Sequence, residues 1–467
     1  MIKRVLPAAL AALLLAGCSI GPDYLRPEIA TPPAWAGQGA PGSAWPATDW
    51  WREFHAPGLD EFMQQAQKAN FDIAAAVARI RESEAQLKIA GGVLLPTVGA
   101  SLGAARSHSE STSRVTSNPQ ASQVGINAYQ GAFSASYQLD FWGRYADQVG
   151  SAEMAARATG FDKETTALTV EANVANTYFA IAALQDRISV ASANLANAEH
   201  VLDAFHARLE AGTASALDIA QQESVVTAQR ASLPPLIQQL RQNGVALAIL
   251  VGRLPEEVKV PDSSLNRLAL PAVGAGLPSS LLTRRPDVQF AEAQLMAANY
   301  DIKAAEASLF PNVALTGQGG MQTIALGALF SPGSLLYSVG ASVTQPIFQG
   351  GALEGGIELR KARFDELVQN YRKAVTSAFG EVENALAAVE LTTRQETEQG
   401  SAVDTAQRAY DIAQAQLYGG TVDILTVLNT QRTLFQAQDL LAQVRLSHAQ
   451  AVVGLFKALG GGWQASA

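Results

Sequence analysis

Hydrophobic positions in this chain fall into two registers, one helical and one extended. From Ala167 to Leu209, apolar or small residues recur at alternating spacings of three and four. They are Ala167, Val170, Val174, Thr177, Ile181, Leu184, Ile188, Ala191, Leu195, Ala198, Leu202, Phe205 and Leu209. About six heptads in register predict a long helix with coiled-coil packing. The habit returns near the other end. Val427, Leu434, Leu441, His448 and Leu455 stand seven apart, and Thr430, Ala437, Val444, Ala451 and Ala458 each follow three residues on. Proline is absent from Gln120 to Leu233 and from Ile347 to the last residue, which leaves room for uninterrupted helices. One from about Arg144 to Ala211 and one from about Ala352 to Tyr418 would each rise about 100 Å at 1.5 Å per residue. A compact domain cannot bury such a helix. Shorter helical stretches are predicted at about 58–91, 215–250, 286–308 and 422–459.

Four other stretches alternate with a period of two. In "YQGAFSASYQLDF", Tyr129, Phe133, Ala135, Tyr137, Leu139 and Phe141 share one face, and Gln130, Ser134, Ser136, Gln138 and Asp140 share the other. Val98, Ala100, Leu102 and Ala104 oppose Thr97 and Ser101; Val313 and Leu315 oppose Asn312 and Thr316. Tyr337, Val339, Ala341 and Val343 oppose Ser338, Ser342 and Thr344. The alternation fits a half-buried sheet in a soluble domain. It fits equally a barrel wall with lipid outside and water inside. A sheet spanning lipid must close, because an open edge strands backbone groups without partners. The smallest such barrels have about eight strands, so four strands per chain require several chains to share one wall. Two, three or four copies all meet that condition.

The chain also resembles itself. "KIAGGVLLPTVGASLG" from Lys88 aligns with "KAAEASLFPNVALTGQ" from Lys303, and "RLEAGTASALDIAQQE" from Arg208 aligns with "QLYGGTVDILTVLNTQ" from Gln416. Leu209, Gly212, Thr213 and Leu217 fall on Leu417, Gly420, Thr421 and Leu425. Two large copies of helix, strand, loop, strand, long helix, tight turn and helix suggest a duplicated hairpin unit rather than a solenoid of short repeats. The segments are 1–17, an export signal; 18–57, an extended proline-bearing arm; 58–265 and 266–460, the two repeats; and 461–467, a tail.

The start of the chain changes the picture most. Lys3 and Arg4 precede the apolar run Val5 to Leu15, which is shorter than the roughly 20 residues a spanning helix needs. Leu15-Ala16-Gly17-Cys18 resembles the lipobox of bacterial lipoproteins, in which the cysteine takes a diacylglycerol and becomes the acylated first residue. By the same resemblance Ser19 favours the outer membrane over inner-membrane retention. Cys18 is the chain's single cysteine, so no internal disulfide forms. The formal net charge of −9, more acidic once Lys3 and Arg4 leave, argues against nucleic acid as a partner.

With these pieces in order, the chain resembles the TolC-type outer membrane factors, and within them the NodT-like efflux lipoproteins of RND-type multidrug systems. The matching stretches are "GCSIGPDYLRP", "LDFWGR" from Leu139, "LLTRRPDV" from Leu281, "FPNVALTG" from Phe310, "TQPIFQGG" from Thr344 and "GGTVDILTVLNTQRTLF" from Gly419. The resemblance implies a mainly α fold with a membrane β-barrel: a homotrimer with a twelve-stranded barrel and a long coiled-coil tube in the periplasm. It implies a periplasmic membrane-fusion adaptor and an inner-membrane RND-type transporter as partners, and the outer membrane of a Gram-negative cell as the location. It assigns lipidation to Cys18 and adaptor contact to the tube tips Gly212, Thr213, Gly420 and Thr421. It assigns the narrowing of the periplasmic entrance to Leu425, Asn429 and Arg432, which lie at i, i+4 and i+7 on one helix face. Many relatives carry Asp where this chain has Asn429, a departure that removes a ring of charge.

No catalytic constellation is evident. The sequence lacks an HExxH helix, a P-loop and a GxSxG elbow. His200 and His206 are six apart and do not share a helix face as zinc pairs four apart do. His448 falls on the apolar stripe, where a packed imidazole is the expectation. Asp218 and Asp423 are read as helix starts. No cofactor, metal or enzyme activity is expected. The primary reading is a passive exit duct for drugs or other small solutes. Two others stand beside it: the outer membrane component of a type I protein secretion system, and a structural coiled-coil surface lipoprotein without a pore.

Overall fold

The computed structural model describes residues 20–36, 45–110, 123–259, 262–276 and 278–464. Cys18 and Ser19 lie outside them. Helices α1 (Leu59–Ala69) and α2 (Phe71–Gly91) lead into strands β1 (Thr97–Glu110) and β2 (Gln123–Leu139), then α3 (Arg144–Glu210) and α4 (Ala216–Leu250). After the single helical turn Leu281–Arg284 the order recurs: α5 (Pro286–Ala307), β3 (Asn312–Thr323), β4 (Leu335–Thr344), α6 (Ala352–Tyr418) and α7 (Ile424–Ala458). The duplication is metrically tight in the helices. Both α3 and α6 have 67 residues, and both α4 and α7 have 35. The hairpins are looser, with strands of 14 and 17 residues in the first copy and 12 and 10 in the second.

Two details depart from the periodicity. The stretch expected at 58–91 is two helices, broken at Asn70. Its side-chain oxygen accepts from the backbone N–H groups of Asp72 and Ile73 at 2.9 and 3.1 Å, so Asn70 ends one helix and caps the next. Helix α4 runs straight through Pro234 and Pro235. Each proline withdraws a backbone donor, but both are exposed, where water satisfies the freed carbonyls.

The chain divides into two compact units, each drawing on both repeats. One comprises Met1–Pro27, Arg81–Ala158 and Glu292–Asn370 and holds the sheet. Its four strands pair antiparallel in the order β1-β2-β3-β4, leaving one edge of β1 and one of β4 unpaired among the described residues. The register carries one apolar face across all four strands. Ala100 faces Phe133, Tyr137 faces Leu315, Leu315 faces Ala341, and Val313 faces Val343. That face is bare: Leu102 is 90% and Val339 89% exposed. At the base of the sheet Trp142 packs on Phe310 with ring centroids 5.0 Å apart, and its indole N–H donates to the Pro311 carbonyl at 2.8 Å.

The same unit contains the start of the arm, laid along α5. Arg26 forms a two-pronged ion pair with Glu292 at 2.6 and 2.7 Å, Asn299 donates to the Pro22 carbonyl, and Lys303 pairs with Asp23.

The other unit comprises Glu28–Ile80, Thr159–Ala291 and Tyr371–Ala467. Here the arm's last stretch is not extended. Trp50–Phe54 forms a turn of 3₁₀ helix whose aromatics are buried. Trp50 stacks on Phe456 and Phe54 lies against Phe179, each at 5.0 Å. The predicted start of α5 at Pro286 holds, and the residue before it is a hub. Arg285 is buried and binds Asp287, Glu381 and the Ala458 carbonyl. Along α3, Val170, Leu184, Ala191, Ala198 and Phe205, one line of the heptad pattern, are buried. The other line loosens along its course: Leu195 and Leu202 are half-buried and Leu209 is exposed. Among the described residues no helix is long and apolar enough to cross a membrane.

Candidate functional site

The two tight turns predicted at Gly212 and Gly420 are built alike. Gly212 has φ +73° and Gly420 φ +72°, conformations that suit glycine. At the first, the N–H of Thr213 reaches back to the Arg208 carbonyl at 2.8 Å and the N–H of Gly212 to Leu209 at 2.9 Å. At the second, Thr421 reaches Gln416 at 2.9 Å and Gly420 reaches Leu417 at 3.1 Å. Each threonine hydroxyl doubles its own backbone bond, to the Arg208 and Gln416 carbonyls at 3.1 Å. These are Schellman closures, which satisfy the last carbonyls of α3 and α6.

The helices that leave the turns are capped by the same two chemical groups in exchanged places. Before α4, Ser215 is the cap and Asp218 closes the box, its carboxylate accepting from the Ser215 N–H at 2.7 Å. Before α7, Asp423 is the cap and accepts from the N–H and hydroxyl of Thr426 at 3.0 and 2.8 Å. Those bonds hold the Asp423 carboxyl below its ordinary value. Both aspartates read from sequence as helix starts are helix starts.

The structure brings the two turns together. Val201 and Phe205 of α3, Ile219 of α4, Tyr410, Ala413 and Leu417 of α6, and Ile424, Val427 and Leu434 of α7 form one buried cluster. Ala214 and Val422, one from each turn, pack against it. Burial pushes the Tyr410 phenol above its ordinary value, and its oxygen accepts from Asn197 at 3.2 Å. Higher in the helices, Arg187 of α3 grips Asp439 of α7 at 2.7 Å and ties the two repeats to each other.

Leu425, Asn429 and Arg432 all lie on the exposed side of α7, outside that cluster. Leu425 is 50% exposed, and Leu217 on α4, which the alignment of the two halves sets opposite it, is 65% exposed. The sequence reading gave Leu217 no role at the entrance. His448 packs as expected, but its ring also meets the Glu396 carboxylate at 2.7 Å and the Thr393 hydroxyl at 3.0 Å, and Arg445 completes the group. Nothing in the sequence pointed to Glu396. Among the described residues no set of three or more His, Cys, Asp or Glu side chains is placed to hold a metal ion.

Two long helical hairpins and a four-stranded sheet with one bare apolar face are the parts of a channel-forming class of protein. The comparisons agree. The outer membrane efflux protein family model matches twice, over residues 62–253 and 277–461. The chain is 40% identical over 456 residues to the pyoverdine export outer membrane protein OpmQ of Pseudomonas aeruginosa, covering 97% of this chain and 96% of that one. It is 33% identical to the toluene efflux pump outer membrane protein TtgC of Pseudomonas putida, over 99% of this chain and 96% of that one. Among solved structures, the outer-membrane channel OprN superposes with a TM-score of 0.86 at 26% identity, over 96% of this chain and all of that one. The chain belongs to the outer membrane efflux protein family; it is an outer membrane efflux protein.

Proposed function

We propose that this chain is the exit duct of a tripartite efflux pump, passing small solutes from the periplasm to the exterior without energy of its own. Three copies would close one twelve-stranded barrel and one helical tube, with an RND-type transporter in the inner membrane and a periplasmic adaptor completing the path. The observation that carries this is the sheet: a continuous apolar face left bare, and two unpaired edges. Lipid tolerates neither edge, so sister subunits must supply the missing neighbours. The loosening heptad line that ends at exposed Leu209 supports the same demand among the helices. The relatives' names, which include toluene efflux and pyoverdine export, support small solutes as the cargo.

The remaining assignments follow from this reading. Residues 1–17 are removed and Cys18 carries lipid. The grip of residues 22–26 on α5, which leads into β3, supports this by drawing the start of the arm toward the base of the sheet. Gly212, Thr213, Gly420 and Thr421 meet the adaptor, and their bare turns leave space for its backbone to approach. Leu425, Asn429 and Arg432 narrow the entrance. The test is conductance of the full-length lipoprotein in planar bilayers, which should rise when Leu425 and Arg432 are replaced together. A purified trimer that never conducts would overturn the proposal. Palmitate incorporation that survives Cys18→Ala would remove the lipid assignment alone.

A further inference from the structure

The strand register sorts every described side chain of the sheet onto one face or the other, and the two faces differ in more than polarity. From Thr97 to His108, Ile126 to Leu139, Asn312 to Thr323 and Leu335 to Thr344, the sequence contains no Asp, Glu or Lys. Arg106 and His108 are the only basic residues in these spans, and the register places both on the apolar face, in line with Leu102. Arg106 pairs with Asn127 across the strands, at the end of the sheet away from the helices. There a long cationic side chain reaches the headgroup level. The opposite face carries Ser101, Ser134, Gln138, Thr316, Gln318 and Ser338 among glycines, alanines and a few other neutral residues. Among the described residues of the paired strands it has hydroxyls and amides but not one ionisable group.

The nearest acid at the base is also spoken for. Asp140 follows β2 directly, and its carboxylate accepts from the Ala146 N–H at 2.7 Å, at the start of α3. Asp140 lies past Leu139, the last paired residue of β2, so its charge stands at the foot of the wall beside the helix end it caps and not among the paired strands.

From this register we infer that the barrel segment of the duct is blind to charge. Its wall takes organic solutes of either sign and discriminates among them by size alone. Any selection by charge therefore belongs to the helical part, where Arg432 stands. The inference rests on the proposed reading in one respect: that the polar face lines the water path. A charged ring on that wall would act strongly, because low-dielectric surroundings focus its field into the lumen. Charges elsewhere fade within about 8 Å at physiological salt. A wall of amides and hydroxyls offers hydrogen bonds but no net potential.

Single cysteines placed at Ser134, Gln138, Gln318 and Ser338 of the full-length chain, expressed in whole cells, test this. Two thiol reagents of similar size, a trimethylammonium and a sulfonate methanethiosulfonate, are added from outside, so they reach the barrel without passing the helices. Each rate is divided by that reagent's rate with a free thiol, and labelling of the unsubstituted chain is subtracted. The expected cation-to-anion ratio lies within about twofold of unity at all four positions. A ratio of about tenfold or more in either direction, with labelling intact, would overturn charge blindness and leave the duct standing. Cysteines at Phe133 and Val339 serve as the lipid-facing controls. Should they react while the four inner positions stay silent, or should all six stay silent, the lumen assignment itself falls.

Discussion

At the turn between α3 and α4 the chain presents Leu217, Gln221 and Ser224; at the matching places after the turn between α6 and α7 it presents Leu425, Asn429 and Arg432. The backbones of the two turns are nearly the same, down to glycines at φ +73° and +72° and threonines bonded back five residues. Their cap groups are exchanged, a serine and an aspartate at one, an aspartate and a threonine at the other. Only the second face carries a cation. The copies share what the turn geometry requires, together with one exposed leucine, and differ at the next two places on the face. Backbone closure accounts for the shared glycines and threonines; Gln221 against Asn429 and Ser224 against Arg432 are where a task of one copy alone would show.

The strongest way to break that comparison is to treat both faces alike. Leu425→Ser combined with Arg432→Gln should raise channel conductance several-fold, since an apolar constriction and its cationic neighbour both oppose a wetted path. Leu217→Ser combined with Ser224→Gln should change it by less than about twofold. Equal responses in single-channel recordings would mean that the two faces share the entrance and that the asymmetry is decorative.

The turns themselves should respond equally. Gly212→Glu and Gly420→Glu each place a side chain at positive φ, a strain of about 1–2 kcal/mol, although each site has open space around it. Native mass measurements should still find the oligomer, while drug resistance of cells carrying either variant drops several-fold. Resistance that is unchanged in both would remove the turns from the docking surface.

The caps offer a finer cut. Ser215→Ala should cost about 1 kcal/mol of helix stability, read as a lower melting temperature at every pH above 5. Asp423→Ala should differ in its pH course. The folded carboxyl lies below its ordinary value, so its contribution is complete above about pH 4 and is lost as pH falls through the depressed value. The Asp423→Ala deficit should therefore shrink on acidification. A deficit that stays constant down to pH 2 would show that the charge of Asp423 does not matter to the cap.

How much of this was legible from residues alone follows from range. The heptads, the proline-free stretches and the alternation around Phe133 are local patterns; they located α3, α6 and α7 within a few residues and touched all four strands, although β1, β2 and β3 each run six or seven residues beyond the alternation that marked them. The turn glycines were legible because positive φ leaves a local signature. The Asn70 break was not, because an asparagine inside an apolar-periodic stretch looks like any polar residue until its side chain is seen to bond two backbone donors. Nor was the aromatic cluster at the end of the arm. Trp50 and Phe456 meet across 406 positions of sequence, and no periodicity connects them. The ion pair of Arg187 with Asp439 and the contact of His448 with Glu396 are of the same kind. The exchanged caps and the exposed Leu217 lie between these extremes, for they become visible once the halves are set side by side.

A last prediction supplies the control that a comparison of two tips needs: a titrating group on α3 that belongs to neither. Glu171 has its carboxyl pushed up to about 6, chiefly by burial, with the nearby charge of Glu164 adding to the rise. Gln67 works in the opposite direction, donating its side-chain N–H to the Glu171 carboxylate at 2.8 Å. A carboxyl raised in the folded state binds its proton more tightly there than in the unfolded chain. Its drag on stability is therefore absent below the ordinary value, grows as pH climbs toward 6 and is complete above it. Because the side chain keeps some contact with solvent, the full effect is discounted to about 1 kcal/mol per chain. Glu171→Gln removes the ionisation and keeps the shape. It should raise the melting temperature at pH 7.5 by about one degree, leave it unchanged at pH 4.5, and alter neither conductance nor the response to substitutions at either tip. The same stabilisation at both pH values would point to packing instead of charge, and a change in conductance would join Glu171 to the path it is meant to stand outside.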